Sequence, residues 1–343
     1  MRIVLLTIVL ILPFHFLFSQ QESGGIVNAN EFADVFSGPV PKWRPRGDGY
    51  AFIARSGLVI KVNDSTRVIQ EAQNTFTWSH DGESIVYTAK DSSGILKIFR
   101  YFLNDGTSKL LSLESGWADF YPDISPDDSI VAYYSAKGEP YKLYYLKNGV
   151  TRKLLARDPL EEYLHPKWSP GSNYLVYFKH LPTDEVILEI MEFFSKRVVF
   201  SLDGNRFDFY AWSPDGKEIL AREVVETTVY PDYNNVVLVR FNIETGNKTV
   251  LTRKLKDLSS AEWSKASNRI VFVANEELYV MEENGANLKK IFSGGHAPNI
   301  HPNGKKVIFF RNRKNLPVCE IDLTGDNLKT LERKTFKISD LEE

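Results

Sequence analysis

Apolar runs of four to seven residues, rich in Val, Ile, Tyr and Phe, recur along the chain, and clusters of Gly, Asn, Asp and Lys separate them. Runs bounded in this way are strand material, and helical periodicity is absent once the first twenty residues are passed. The stretch AWSPDGKEIL, Ala211 to Leu220, has six relatives, which begin at Pro41, Phe76, Pro122, Pro166, Ala261 and Pro298. In the seven copies an anchor residue falls at Trp43, Trp78, Ile124, Trp168, Trp212, Trp263 and Ile300, at spacings of 35 to 51 residues. Variable spacing around a fixed motif describes repeats whose cores are alike and whose loops differ.

Each unit divides into four strands. In the third these are DFYPDIS, SIVAYYS, YKLYYLKN and TRKLLA. Second-strand runs such as SIVYTA, YLVYF, RIVFVA and KVIFF do not alternate with polar residues, as expected of a strand covered on both faces. Seven such units predict an all-β fold: a seven-bladed β-propeller of four-stranded antiparallel blades over residues 38–332. Six blades is the alternative, with the unit from Gly38 as a closing element. A sandwich would leave outer faces polar, and a solenoid would show shorter periods.

Within the motif, Ser213-Pro214-Asp215-Gly216 reads as turn chemistry. Ser bonds back to the backbone, Pro presets φ, and Gly takes a positive φ to close a type I turn with a bulge. A catalytic role for Ser213 and Asp215 would need the motif once, yet it recurs, with Ser79, Ser125, Ser169 and Ser264 in place and Arg44 and His301 as substitutes. The aromatic anchor is expected to wedge between blades.

Residues 1–19 combine an early Arg2 with an apolar run from Ile3 to Phe18, followed by Ser19 and Gln20, which reads as a cleaved export signal. The expected location is therefore periplasmic or secreted, with no transmembrane anchor after cleavage. Residues 20–37 are a candidate closing strand and 333–343 a tail. The chain has 343 residues, is 43% hydrophobic and 25% charged, and carries a net charge of -2, so it offers no basic footprint for nucleic acid. The single cysteine, Cys319, excludes an internal disulfide and reads as a small apolar strand residue.

The aromatic, Ser-Pro-Asp-Gly and Lys-x-Ile-x-aromatic pattern resembles the TolB-type propeller repeat, and is similar to repeats in the propellers of prolyl-oligopeptidase-like enzymes. The Gly-His and Trp-Asp pairs of the WD class are missing. Two departures accompany the likeness. Too few residues precede the first unit for the α/β domain of TolB, and the Gly-x-Ser-x-Gly elbow of the hydrolases is missing. The resemblance implies a propeller scaffold of the cell envelope or exterior.

A propeller can gather side chains from several blades at its channel. Four residues before each anchor stand Pro39, Asn74, Phe120, Leu164, Asp208, Ser259 and His296, with His165 one position further along. Asn74, His165, Asp208, Ser259 and His296 are the expected ligand-contacting residues of the channel mouth. Oligogalacturonate lyases resemble this repeat type and use channel histidines with a metal, which makes a lyase or hydrolase the alternative function. No spacing of the six histidines forms a metal motif, and neither a metal nor another cofactor is expected. Glu161-Glu162 and Glu276-Glu277 read as solvated turn residues. The longest unit carries EVVETTVYPDYNN, where Tyr230, Asp232 and Tyr233 flank Pro231 and offer stacking area on a rim loop. The leading expectation is an exported, monomeric, non-enzymatic module that binds a protein or peptide through one rim and the channel mouth.

Overall fold

The structure, a computed structural model, describes residues 40–114, 116–137, 140–155, 159–225, 235–311 and 316–333, with only the backbone at 74 and 210. Among the described residues 28 strands form seven four-stranded antiparallel sheets, each built from four strands consecutive in sequence. The fold is a seven-bladed propeller. First strands line the axis, those of blades 2 and 3, 3 and 4, 5 and 6, 6 and 7, and 7 and 1 lying directly against each other. No helix among the described residues is long and apolar enough to cross a membrane.

The continuous apolar runs become second strands buried on both faces. Ile130–Ser135 is buried at all its positions, and Tyr174–His180 and Lys306–Arg311 at their four central ones. Apolar packing is organised by seam, with one buried cluster joining each pair of adjacent blades around the ring. Trp212, 8% exposed, fills the seam between blades 4 and 5 and stacks on Tyr174 at a centroid distance of 6.4 Å. Trp78 and Trp168 add a directional contact: their indole N–H groups donate to the Lys42 and Asp123 carbonyls of the preceding blade, at 3.3 and 3.2 Å.

The Ser-Pro-Asp-Gly turn has the geometry its residues demand. Gly216 has φ +71 and its N–H donates to the Ser213 carbonyl at 2.9 Å, while the Ser213 hydroxyl donates to Asp215 Oδ1 at 2.7 Å and accepts the Glu218 N–H at 2.9 Å. The same positive φ recurs at the equivalent Gly47, Gly82, Asp128, Ser172 and Gly304, and in blade 6 it falls one residue later, at Asn268. Where Ser is replaced, the substitute joins neighbouring blades. Arg44, 5% exposed, donates from Nε to the Gly82 carbonyl at 2.7 Å and from Nη1 to Asp48 at 2.8 Å.

Blades 7 and 1 meet without a shared strand among the described residues. Trp43, Phe52 and Val59 pack on Ile308, Phe310 and Val318. Asn299 Oδ1 accepts the Trp43 N–H at 2.7 Å, and Lys61 pairs with Glu332. His301 accepts the Asn303 N–H on Nδ1, so its Nε2–H donates to the Gly47 carbonyl at 3.0 Å. Residues 20–37 and 334–343, the candidate closing strand and nearly all of the tail, lie outside the described residues.

Candidate functional site

Strand order fixes two unlike faces. Each inner strand runs toward the Ser-Pro-Asp-Gly turns, which mark the turn face. At the opposite connection face, links between blades meet the hairpins that join second to third strands. Near the connection face the inner strands of blades 2 to 7 all bulge against their partners, where the ladder skips residues between Gln73 and Phe76, Phe120 and Asp123, Leu164 and Lys167, Phe209 and Ala211, Leu258 and Ser260, and His296 and Asn299. In three blades the bulged residue takes a left-handed φ directly before proline: Tyr121 (+49), His165 (+53) and Ala297 (+49). Non-glycine residues rarely adopt this region, and strain of this kind gathers at functional surfaces.

The residues expected at the channel mouth have unlike surroundings. His165 is 7% exposed and sits edge-on to Tyr121 (4.7 Å) and Tyr134 (5.6 Å). Burial, aided by the charges of Lys167 and His180, lowers its pKa to about 3, so the imidazole is neutral. Asp208 is buried and paired with Arg222, its register partner on the next strand, and burial raises its pKa. Ser259 and His296 are half-buried on the inner strands of blades 6 and 7. Asn74 lies on the inner strand of blade 2, its side chain outside the described set, and Tyr230, Asp232 and Tyr233 also lie outside the described residues. Among the described residues no three His, Cys, Asp or Glu side chains form a group able to hold a metal ion, so His165, Asp208 and His296 do not make one.

Two other expectations can be placed. Cys319 is fully buried with its Sγ 3.8 Å from Thr330 Oγ1, and burial pushes the thiol pKa up, away from the reactive thiolate. Glu161 is not a solvated turn residue: its side chain is 12% exposed, paired with Lys179 at 2.6 Å, and accepts the Tyr163 hydroxyl. Its place beside Lys179, on the second strand of blade 4, and Tyr163 explains the difference.

Sequence reasoning missed a second column of channel residues, the one directly before each anchor: Lys42, Thr77, Asp123, Lys167, Ala211, Glu262 and Asn299. All seven are half-buried, whereas the described residues one step earlier are buried, which is the alternation of a strand with one face to a narrow channel. Four of them reach the next blade. Lys42 Nζ donates to the Phe76 carbonyl at 2.8 Å, and Asp123 Oδ2 accepts the Trp168 N–H at 2.8 Å. Glu262 Oε2 accepts the Ile300 N–H at 2.8 Å, and Asn299 closes the ring onto Trp43. The result is a polar girdle, and its signal in sequence was a polar column beside one of Pro and aromatics.

The connection face of blade 3 carries a third feature. Leu113, Trp117, Tyr141 and Leu160 are 68%, 42%, 37% and 64% exposed, and half-buried Phe120 and Tyr121 lie in the same region. Tyr141 meets Phe120 edge-on at 6.0 Å and Tyr134 at 5.5 Å. Two buried lysines fix the links that present these side chains. Lys97 donates to the Glu114 and Trp117 carbonyls, both at 2.5 Å, and to Asp119 at 3.0 Å. Lys142, its counterpart on blade 3, donates to the Pro159 and Glu161 carbonyls on either side of Leu160. Exposed apolar side chains on links held by buried lysines make a contact surface.

Known proteins share this architecture. The model of the dipeptidyl peptidase IV N-terminal region matches residues 213–306. No curated protein matches the chain by sequence. Among solved structures, oligogalacturonate lyase from Vibrio parahaemolyticus is similar at TM-score 0.59 and 11% identity, over 80% of this chain and 88% of that one. TolB from Acinetobacter baumannii is similar at TM-score 0.53 and 12% identity, over 87% and 80%. Porphyromonas gingivalis dipeptidyl peptidase 4 is similar at TM-score 0.57 and 11% identity over 91% of this chain, which spans 62% of the peptidase. At such identities the likeness shows the fold, a propeller scaffold found in TolB, in peptidases and in a lyase.

Proposed function

We propose that the chain is an exported TolB-type propeller, periplasmic or secreted, that binds a protein or peptide at its connection face. One observation carries this reading: the aromatic and apolar surface over blade 3, with Trp117 and Leu160 exposed on links pinned by Lys97 and Lys142 and Tyr141 exposed on the hairpin before Lys142. Tyrosine and tryptophan supply contact area at low entropic cost, and a fixed base removes part of the ordering penalty of binding. The proposal counts the mouth residues Asn74, His165, Asp208, Ser259 and His296 and the rim residues Tyr230, Asp232 and Tyr233 as further ligand contacts.

Selection of a displayed random-peptide library on the purified chain from residue 20 onward tests the reading. Selected peptides should lose roughly thirtyfold or more in affinity on Trp117→Ala or Tyr141→Ala, the effect of an interface hot spot. Unchanged affinity in both folded variants would remove this surface. The carbohydrate-active alternative is decided in the same preparation, because release of unsaturated product from polygalacturonate would replace the binding reading.

A further inference from the structure

The girdle near the turn face is not electrically idle. Its charged members are Lys42 on blade 1, Asp123 on blade 3, Lys167 on blade 4 and Glu262 on blade 6, with a formal sum of zero. The two carboxylates are committed to the protein at both oxygens. Asp123 takes the Trp168 N–H on one and the Lys167 ammonium, at 3.1 Å, on the other; Glu262 takes the Ile300 N–H and the Asn299 amide, the latter at 2.8 Å. The two ammonium groups are not so committed. An ammonium has three donors. Lys42 uses one on the Phe76 carbonyl and lies 5.2 Å from the centre of the Phe76 ring, and Lys167 uses one on Asp123.

From this arrangement we infer that the channel holds a carboxylate ligand between Lys42 and Lys167, with the spare ammonium donors of both blades as its contacts. Both lysines are half-buried, on the strand face that lines the channel. Charge-assisted hydrogen bonds in a narrow channel are stronger than in water. Asp123 and Glu262 face the same space and set the valence: they repel a polyanion and leave room for one negative charge. Positive charge is crowded here: burial and then the nearby Lys167 charge lower the Lys42 pKa to about 8, against the opposing pull of Asp123 and Glu262. Two sources fit the chemistry, the free carboxyl terminus of a peptide and an acidic sugar. The site lies toward the turn face and does not depend on the blade 3 surface, so either can fail alone.

Four probes are titrated by calorimetry to about 10 mM, well above a weak millimolar dissociation constant. They are an acetylated tripeptide with a free carboxyl terminus, its amide, the methyl glycoside of galacturonate, which carries one carboxylate, and its methyl ester. One free acid should bind while its neutral partner does not, which also identifies the source. Lys42→Gln and Lys167→Gln should each weaken that binding roughly tenfold, and Lys167→Arg should restore part of it. Where a Gln variant does not fold, pulse acetylation of the wild-type chain at pH 8 decides, with Lys42 modification read by mass spectrometry. The free acid should protect Lys42 and the neutral partner should not. Binding by none of the probes, equal binding of acid and neutral forms, or an unprotected Lys42 overturns the inference.

Discussion

Replacing Lys97 by Met removes a buried cation and keeps its stem. The Lys97 side chain is 2% exposed and that of Asp119 is 5% exposed, so Lys97→Met leaves a buried carboxylate without its cation. Breaking a buried pair on one side costs about 3–5 kcal/mol. The Glu114 and Trp117 carbonyls add less, because they belong to an exposed link where water can replace the ammonium. The expected loss is therefore about 3–5 kcal/mol. Urea unfolding followed by both tryptophan fluorescence and far-ultraviolet circular dichroism measures it, coincident curves licensing a single free energy. The double variant Lys97→Met/Asp119→Leu should recover most of the loss, because no buried charge remains. Hydrogen exchange should show residues 111–118 opening sooner in the single variant, and selected peptides should bind it more weakly. A single-variant cost below about 1 kcal/mol, or a double variant no better than the single, would refute the pinning role.

Three further outcomes are expected. Ser213→Ala should cost about 1–2 kcal/mol through its two lost hydrogen bonds and leave ligand affinity unchanged; an affinity loss in the folded variant would return Ser213 to the functional residues. Gly47→Ala should lower the thermal midpoint markedly, because the residue has φ +79 and an added Cβ would lie 2.6 Å from His301 Cε1 at the meeting of blades 7 and 1; an unchanged midpoint would show that this contact yields freely. For His165 the folded pKa is about 3 against 6.5 for the free group, so the unfolded chain binds the extra proton between those values. Stability should then fall as pH drops through that window, and His165→Asn, which tolerates the left-handed backbone, should lose that part of the slope. Parallel pH profiles for the two proteins would contradict a neutral buried His165.

The blades were legible in sequence because the motif is set by local chemistry. A Pro-Asp-Gly turn needs no tertiary context to declare itself, and strands such as SIVAYYS can be buried only by sheets on both sides. The channel was less legible. Counting back four residues from the anchor assumes unbroken alternation, but the bulges at positions such as His165 and Tyr121 interrupt it, so Asp208 becomes an ion-paired buried residue while Ser259 and His296 stay half-exposed. One residue before the anchor lies beyond the bulges, and there a half-buried side chain follows a buried one in every blade whose preceding side chain is described. Lys97 and Lys142 were silent for another reason. A lysine in a third strand looks like a surface residue until the fold brings the next blade's link over it.

Ala211 gives the girdle a temperature dependence. Four blades place in this column a side chain that hydrogen-bonds to the neighbour, whereas blade 5 places a methyl group there, which can neither donate nor accept. Its grip on blade 6 at that point comes from apolar packing, with Leu220, Val236 and Leu238 against Ile270 and Phe272. Apolar attraction weakens on cooling, while a backbone N–H held by a carboxylate does not share that decline. Chilling therefore acts unevenly around the ring, and the joints that no girdle hydrogen bond spans, between blades 2 and 3, 4 and 5, and 5 and 6, are where the channel would first widen in the cold.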